Sequence, residues 1–422
     1  MPADYPAIQE ALDAAREGDT VLVGPGEYVI TEPLDFNRLR DPNLPGSPPL
    51  KNLVLTSERG AEETVIRMSE APSDPNRASV IVFTRGEGRT SRLQGLTLTG
   101  GMGVEGSGGA VFISASHPVV SDCRIQGNGL PLRNLRAGGG VYCARARVDL
   151  VNCAIEGNSA GAGGGVYCGE GTSVRIENCA ISGNAALWGG GGITAVGGTS
   201  LKLNRTTVAG NWAGGWSPVG GLYLGGGFAA ELASCIVWGN TGDSIVLADA
   251  KARVHHSCIE GPLWAGTGNI DVDPLFCGWG PRGEVWADAT LAEAGDGSPE
   301  KPYASLGGAL GSFEFSLSAS SPCLGTGQGG VNMGADLGTC EAQGQSAMLV
   351  HLAPGTYHAT GVVSRQNVSL EGAGVQDTVL TGSVGGLRTG TTLSQMRLTN
   401  GDPYGLWCGP GESPEVREVE IT

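Results

Sequence analysis

Two short sequence motifs recur together along the middle of this chain, and their recurrence constrains its fold more than any other feature. The first motif begins with Cys or Thr and ends in Gly-Asn, at residues 123–128, 153–158, 179–184, 206–211 and 235–240. The second motif is Gly-Gly followed by a short apolar strand, at residues 108–111, 139–142, 164–167, 191–194 and 220–223. Both return roughly every 25 to 30 residues, so the chain is built from repeated structural units.

Each repeat contains three short strands, because a further apolar segment such as residues 174–176 precedes each first motif. Within a strand, apolar and polar side chains alternate, as is typical of a half-buried β-strand. One coil of three strands cannot bury its apolar face alone. Coils stacked at about 4.8 Å bury a continuous core and pair every backbone group with the next coil. The sequence therefore predicts an all-β fold, a single-stranded parallel β-helix.

The glycines and asparagines of the motifs have a structural interpretation. The Gly-Gly pairs lie where the chain must turn sharply, which favours residues without a Cβ. The Asn after each Gly suits a turn that is left-handed or capped by a side chain. Since these Asn residues occupy the same place on successive coils, we expect their amides to hydrogen-bond to one another in a ladder.

The repeats resemble those of right-handed parallel β-helix proteins of the pectin-lyase-like superfamily, which include large bacterial extracellular proteins and pectate lyases. They are also similar to the repeats of polymorphic outer-membrane proteins, although the second motif there usually carries Phe. Residues 258–276 resemble the segment that ends such helices, and residues 321–336 resemble the terminal element of surface-anchored members. The resemblance implies a right-handed helix and an extracellular or cell-surface location.

The start of the chain is repeated near its end. Residues 350–357 match residues 21–28, and residues 393–401 match residues 93–101. An apolar face over residues 1–16 predicts a capping helix before the first coil. We predict three parts: a first β-helix with its cap over residues 1–276, a Gly/Pro-rich connecting and terminal segment over residues 277–345, and the beginning of a second, truncated β-helix over residues 346–422. This organisation predicts a piece of a larger tandem protein.

Charge excludes one class of partner. The chain has 26 Lys and Arg against 42 Asp and Glu, a formal net charge of −16. Binding to nucleic acid requires a basic surface, so we expect no nucleic-acid partner. No run of about 18 apolar residues occurs, so we expect no membrane-spanning helix in this chain.

The cysteines fall into two groups. One recurring position holds Cys123, Cys153, Cys179, Thr206 and Cys235. A thiol that Thr can replace in a stack is interpreted as a small core filler. Cys323 and Cys340 lie outside the repeats in a Gly-rich segment, and they are the better disulfide candidates. No Cys-x-x-Cys occurs, which disfavours a zinc site.

Three tryptophans occur in the loops that lead from Gly-Asn into Gly-Gly: Trp188, Trp212 and Trp216. Equivalent loops should project from the same edge of the helix, so the three indoles could form a platform that stacks on sugar rings. The alternative is that the rings pack over loop backbone.

One pair of carboxylates suggests a metal site. Asp271 and Asp273 lie two residues apart on an extended segment, where they could bind Ca²⁺ together with backbone carbonyls. The alternative is that they cap the turn before Pro274. We expect no other cofactor.

No catalytic residue can be identified. Pectate-lyase chemistry requires several carboxylates around Ca²⁺ with an Arg or Lys base, and inverting glycosidases require a pair of carboxylates. The outward positions of the first motif hold Arg124, Ala154, Ala180, Thr207 and Ile236, which form no such cluster. We therefore favour a structural stalk, adhesin or carbohydrate-binding scaffold, with a polysaccharide or cell-surface glycan as partner. The alternative is a polysaccharide lyase or glycoside hydrolase acting on pectin-like or other acidic polysaccharide.

Overall fold

The computed structural model describes residues 5–41, 43–129, 137–197, 200–214, 219–278, 284–291, 295–304, 314–340, 347–358, 362–363, 368–382, 384–387, 389–399, 406–408 and 413–422. Parallel strands dominate it, and the repeats form a right-handed parallel β-helix, as predicted. Two of its three long sheets contain nine strands each, so the helix extends beyond the five repeats that carry both motifs.

Each of the first eight coils contributes one strand to each of three sheets, and the last coil contributes to sheets 1 and 2. Sheet 1 contains Thr20–Val23, Val54–Ser57, Arg92–Gln94, Val119–Ser121, Arg147–Val151, Ser173–Glu177, Ser200–Asn204, Ala229–Ala233 and Lys251–His255. Sheet 2 contains Gly26–Ile30, Thr64–Met68, Thr97–Thr99, Arg124–Gln126, Ala154–Glu156, Ala180–Ser182, Thr207–Ala209, Ile236–Trp238 and Cys258–Ile259. Sheet 3 contains Leu34–Asp35, Ile81–Phe83, Val111–Ser114, Val141–Ala144, Val166–Cys168, Ile193–Ala195, Leu222–Gly225 and Ile245–Ala248.

Two smaller sheets lie in the loops. A parallel loop sheet contains Ser159–Ala162, Ala185–Trp188 and Trp212–Ala213, between sheets 2 and 3. An antiparallel pair contains Arg77–Ala78 and Gly103–Val104.

The core follows from the alternation of side chains along each strand. In sheet 2 the aligned inward residues are aliphatic and fully buried: Ile125, Ile155, Ile181, Val208 and Val237. The N-terminal end of this core is closed by the helix Ile8–Ala14, which buries Ile8 and Leu12, so the predicted capping helix is confirmed.

The asparagine ladder is confirmed. Each amide Nδ2 donates to the Oδ1 of the next coil at 2.9, 3.0, 3.0 and 3.0 Å along Asn128, Asn158, Asn184, Asn211 and Asn240. Each amide also donates to a backbone carbonyl of the preceding coil, as Asn184 does to Ile155 at 2.8 Å. The left-handed backbone belongs to the preceding glycine, such as Gly157 at φ +60°. The buried amides are therefore satisfied by their own stack, which fixes the register of the coils.

The recurring cysteine position also behaves as predicted. Cys123, Cys153, Cys179 and Cys235 are buried free thiols. The Cys179 Sγ lies 3.3 Å from the carbonyl oxygen of Glu177, and the Thr206 Oγ1 lies 3.0 Å from the carbonyl oxygen of Asn204. Thr can replace Cys because its hydroxyl makes the same contact two residues back along the chain.

After the last coil, residues 314–340, here called the terminal segment, return to the first helix. Phe276–Gly278 pairs antiparallel with Glu314–Ser318, which pairs parallel with Thr339–Cys340. A short 3-10 helix, Gln328–Gly330, lies between Glu314–Ser318 and Thr339–Cys340 along the chain. The terminal segment packs along the outer face of sheet 2. The backbone N–H of Ala335 donates to Thr207 Oγ1 at 3.0 Å, and that of Asp336 donates to Asn178 Oδ1 at 2.7 Å.

A second group of strands has its own core. It contains Glu284–Ala287, Met348–Leu352, Gly355–His358, Val362–Val363, Val368–Glu371, Thr378–Thr381, Val384–Leu387, Thr392–Thr399, Leu406–Cys408 and Glu415–Ile421. Leu398 pairs with Ile421 just as Leu98 pairs with Ile125 in the first helix, which agrees with the internal sequence match. The interval 277–345 is divided: Glu284–Ala287 pairs with Met348–Leu352 in this group, whereas the terminal segment packs on the first helix.

Candidate functional site

The outer face of sheet 3 carries a row of aromatic side chains, here called the aromatic row: Phe112, Tyr142, Tyr167 and Tyr223. The rings of Phe112 and Tyr142 stack with their centroids 5.1 Å apart and an interplanar angle of 6°. The rings of Tyr142 and Tyr167 stack with their centroids 5.5 Å apart and an interplanar angle of 2°. Thr194 occupies the position between Tyr167 and Tyr223. The row arises because the residue after the first buried aliphatic residue of each strand, such as Val111 or Val141, points outward on the same sheet.

The loops before sheet 3 fix the base of these rings. Gly138 has a φ of +73°, and a Cβ on it would lie 2.9 Å from the Cα of Tyr142. The loop backbone therefore lies directly against the strand, and the four rings of the row are half-buried. Burial raises the pKa of Tyr142 and of Tyr167, so their hydroxyls stay protonated well above neutral pH.

Trp188 lies in the loop that contacts the Thr194 position of sheet 3. It ends the loop strand Ala185–Trp188 and is 44% exposed. Two residues later the backbone N–H of Gly190 donates to Thr194 Oγ1 at 2.8 Å. This contact holds the loop next to the Thr194 position, with Tyr167 and Tyr223 on the two neighbouring coils.

The predicted platform of three indoles is wrong in one member. Trp212 is only 5% exposed and packs on Ala185. The reason is register: Trp212 pairs with Ala185, whereas Trp188 pairs with Ala162 of the preceding coil. The two tryptophans therefore occupy different positions of the loop sheet. Trp216 lies outside the described residues.

The predicted carboxylate pair is placed at a turn. Asp271 Oδ1 accepts from the Gly261 N–H at 3.2 Å, and Asp273 Oδ1 accepts from the Leu275 N–H at 2.8 Å. Both side chains are exposed and their oxygens cap backbone groups, which is the alternative interpretation given above. Within the described part of the chain, no three His, Cys, Asp or Glu residues are grouped as metal ligands would be.

One buried acidic network escaped the sequence interpretation. Glu87 is completely buried and accepts hydrogen bonds from Asn37 Nδ2 at 3.0 Å and from Ser116 Oγ at 2.8 Å. Burial raises the pKa of the neighbouring Asp35, and the charge of Glu87 acts in the same direction. Because every partner is internal, the network supports the corner between sheets 3 and 1. In the sequence, the only sign of this network is an isolated Glu87 between two glycines.

The disulfide assignment needs correction. Cys340 is bonded to Cys277, and Cys323 is a buried free thiol. The pairing follows from the fold, since Phe276–Gly278 and Thr339–Cys340 both pair with Glu314–Ser318. Cys323 instead contacts Cys258 of the last coil, and a hydrogen bond between the two thiols, together with burial, raises the pKa of Cys258. In the coils, burial raises the pKa of Cys168 and Cys235 to about 12, which keeps both thiols protonated.

One family model agrees with this architecture. Residues 81–259 match the family described as right handed beta helix region. A pectate lyase, Pel9A, aligns with 13% identity and a TM-score of 0.32 over 78% of this chain and 90% of its own. The catalytic domain of a GH87 alpha-1,3-glucanase aligns with 10% identity and a TM-score of 0.27 over 100% of this chain and 63% of its own. No curated protein sequence matches.

No helix within the described residues has the length and apolar character that a membrane span requires.

Proposed function

We propose that this chain is an extracellular β-helical scaffold that binds carbohydrate through the aromatic row and Trp188. In this role the helix acts as a stalk or adhesin that presents the row to a polysaccharide or cell-surface glycan. One observation carries the proposal: aromatic rings stack in register along an outer face, and the loop bound to Thr194 of that face carries an exposed indole.

The chemistry of the surface suits a sugar chain. A pyranose ring has apolar C–H faces that pack on aromatic rings, and the exposed indole of Trp188 offers such a face. Neighbouring rings cover both faces of Tyr142 and one face of Tyr167, so these residues contribute mainly their hydroxyl groups. Protonated hydroxyls both donate and accept hydrogen bonds, and the coils space them at about 4.8 Å. The row therefore offers a repeating array to a repeating polymer.

A glycan array followed by calorimetry with the tightest-binding oligosaccharide tests the proposal. Trp188→Ala should lower the affinity about tenfold, equivalent to about 1.4 kcal/mol. The double variant Tyr142→Phe/Tyr167→Phe keeps the stacked rings and removes both hydroxyls, and it should lower the affinity about as much. Tyr5→Ala removes an exposed aromatic ring far from the row and is the control.

Two results would contradict the proposal. The first is that neither Trp188→Ala nor the double tyrosine variant lowers the affinity, or that Tyr5→Ala lowers it by the same factor. The second is release of shorter sugars when the protein is incubated with the same glycans or with polygalacturonate, with and without Ca²⁺. That result would favour the enzymatic alternative.

A further inference from the structure

The outer face of sheet 1 concentrates positive charge in a protein whose net charge is −16. Its strands carry six exposed cations: Arg92, Arg147, Arg175, Lys202, Lys251 and Arg253. They carry three carboxylates, all half-buried: Asp149, Glu177 and Glu231. Six cations against three carboxylates leave a net charge of +3 on this face, opposite in sign to the whole chain.

The three carboxylates are already neutralised. Asp149 pairs with Arg89, Glu177 pairs with Arg175 at 2.5 Å, and Glu231 pairs with Lys202 at 3.0 Å.

Four of the cations have no such partner. The described residues place no carboxylate within ion-pair distance of Arg92, Arg147, Lys251 or Arg253. Long Arg and Lys side chains also reach further from the sheet than the half-buried acids. The outermost layer of the face is therefore positive.

The cations follow the helix axis. Strand pairing places Arg92, Arg175, Lys202 and Arg253 in one row of outward positions, whose other members are Val119, Asp149 and Glu231. Six coil steps separate the ends of this row, a length of about 29 Å at about 4.8 Å a step. Arg147 lies in a second row, two residues earlier on its strand than Asp149 of the first row. The face is thus an elongated basic strip.

We propose that this strip binds an extended acidic polysaccharide, bearing carboxylate or sulfate groups, along the helix axis. A linear polymer with an anion on each sugar can meet these cations at intervals along the helix axis. Guanidinium groups bind carboxylate and sulfate oxygens through two parallel hydrogen bonds. The strip lies on a different sheet from the aromatic row and uses charge instead of stacking, so this inference goes beyond the proposed function and can fail separately from it.

Calorimetry at low ionic strength with polygalacturonate and with dextran sulfate tests the inference and separates carboxylate from sulfate recognition. Arg147→Glu/Arg253→Glu should lower the affinity for the preferred polymer at least about tenfold, or about 1.4 kcal/mol. Arg77→Glu/Arg124→Glu changes the net charge equally at exposed sites outside sheet 1 and should leave the affinity unchanged. Arg147→Gln/Arg253→Gln provides a milder change should charge reversal disturb folding. Binding should weaken as salt is added, because exposed charges are screened.

Three outcomes would overturn the inference. Neither polymer binds the unaltered protein, the control variant loses as much affinity as the strip variant, or single-stranded DNA binds as tightly as the polysaccharides. Trp188→Ala should leave polyanion binding intact, which distinguishes failure of the strip from failure of the aromatic row.

Discussion

The outer faces of sheets 2 and 3 both carry apolar side chains, but the protein treats them differently. Along sheet 2 the outward residues change from the exposed Arg124 to Ala180, Thr207 and Ile236, which are 4%, 1% and 1% exposed. The terminal segment covers these last coils. The aromatic row of sheet 3 stays half-exposed. The difference shows that the apolar outer face of sheet 2 is covered by another segment of the same chain, whereas that of sheet 3 keeps solvent-accessible surface.

Removing the disulfide is the strongest way to disturb the covered face. Cys277→Ser/Cys340→Ser opens a link across a sequence separation of 63, and chain entropy predicts a loss of about 4 kcal/mol in the free energy of unfolding. Urea unfolding measures this loss. Hydrogen exchange should quicken at Thr207–Ala209 and stay unchanged at Val141–Ala144 of sheet 3. An equal increase in hydrogen exchange on sheets 2 and 3 would show that the disulfide does not stabilise the covered face of sheet 2 specifically.

A cavity between the terminal segment and sheet 2 should cause the next largest loss of unfolding free energy. Phe315 of the terminal segment packs with Ala209 and Ile236, so Phe315→Ala should cost about 3 kcal/mol of unfolding free energy. The variant should also bind the dye ANS, because apolar surface of sheet 2 becomes exposed. Thermal unfolding and dye fluorescence measure the two effects. An unchanged melting temperature would show that the segment is not a structural cover.

The open face should tolerate change best. Tyr167→Ala removes a half-exposed ring and one ring stack, and it should cost about 1 kcal/mol. Tyr167→Phe keeps the stack and should cost almost nothing. Urea unfolding of both variants beside Phe315→Ala ranks the faces directly. A loss at Tyr167 as large as at Phe315 would mean that the aromatic row is structural.

The repeats predicted the fold because stacking forces equivalent residues into equivalent places. The asparagine ladder followed from spacing alone. The motifs revealed only part of the helix, since earlier coils use other residues: Leu96 occupies the position of Cys123, and Gly101 that of Asn128. Any small or aliphatic side chain fills such a position, so the motif fades while the coil remains.

The candidate site was less predictable. Whether an indole is exposed depends on the register of a loop strand, and Trp212 differs from Trp188 for that reason. The partner of Cys340 depends on the return of the chain to the first helix, which spacing does not encode. Three members of the aromatic row, Tyr142, Tyr167 and Tyr223, were visible as the last residue of a Gly-Gly motif. Phe112, which follows its motif, and the stacking of the rings required the sheet register.

The path of the chain around residues 276–318 has a practical consequence for dissecting the protein. Gly278 and Glu314 face each other across an antiparallel pair, so residues 279–313 interrupt what would otherwise be a β-hairpin. One cut near residue 345 therefore cannot separate the first helix from the second group of strands, because it leaves Glu284–Ala287 without Met348–Leu352 and exposes a strand edge. A clean excision joins residue 278 to residue 314 through a two-residue turn such as Asn-Gly and ends after Cys340.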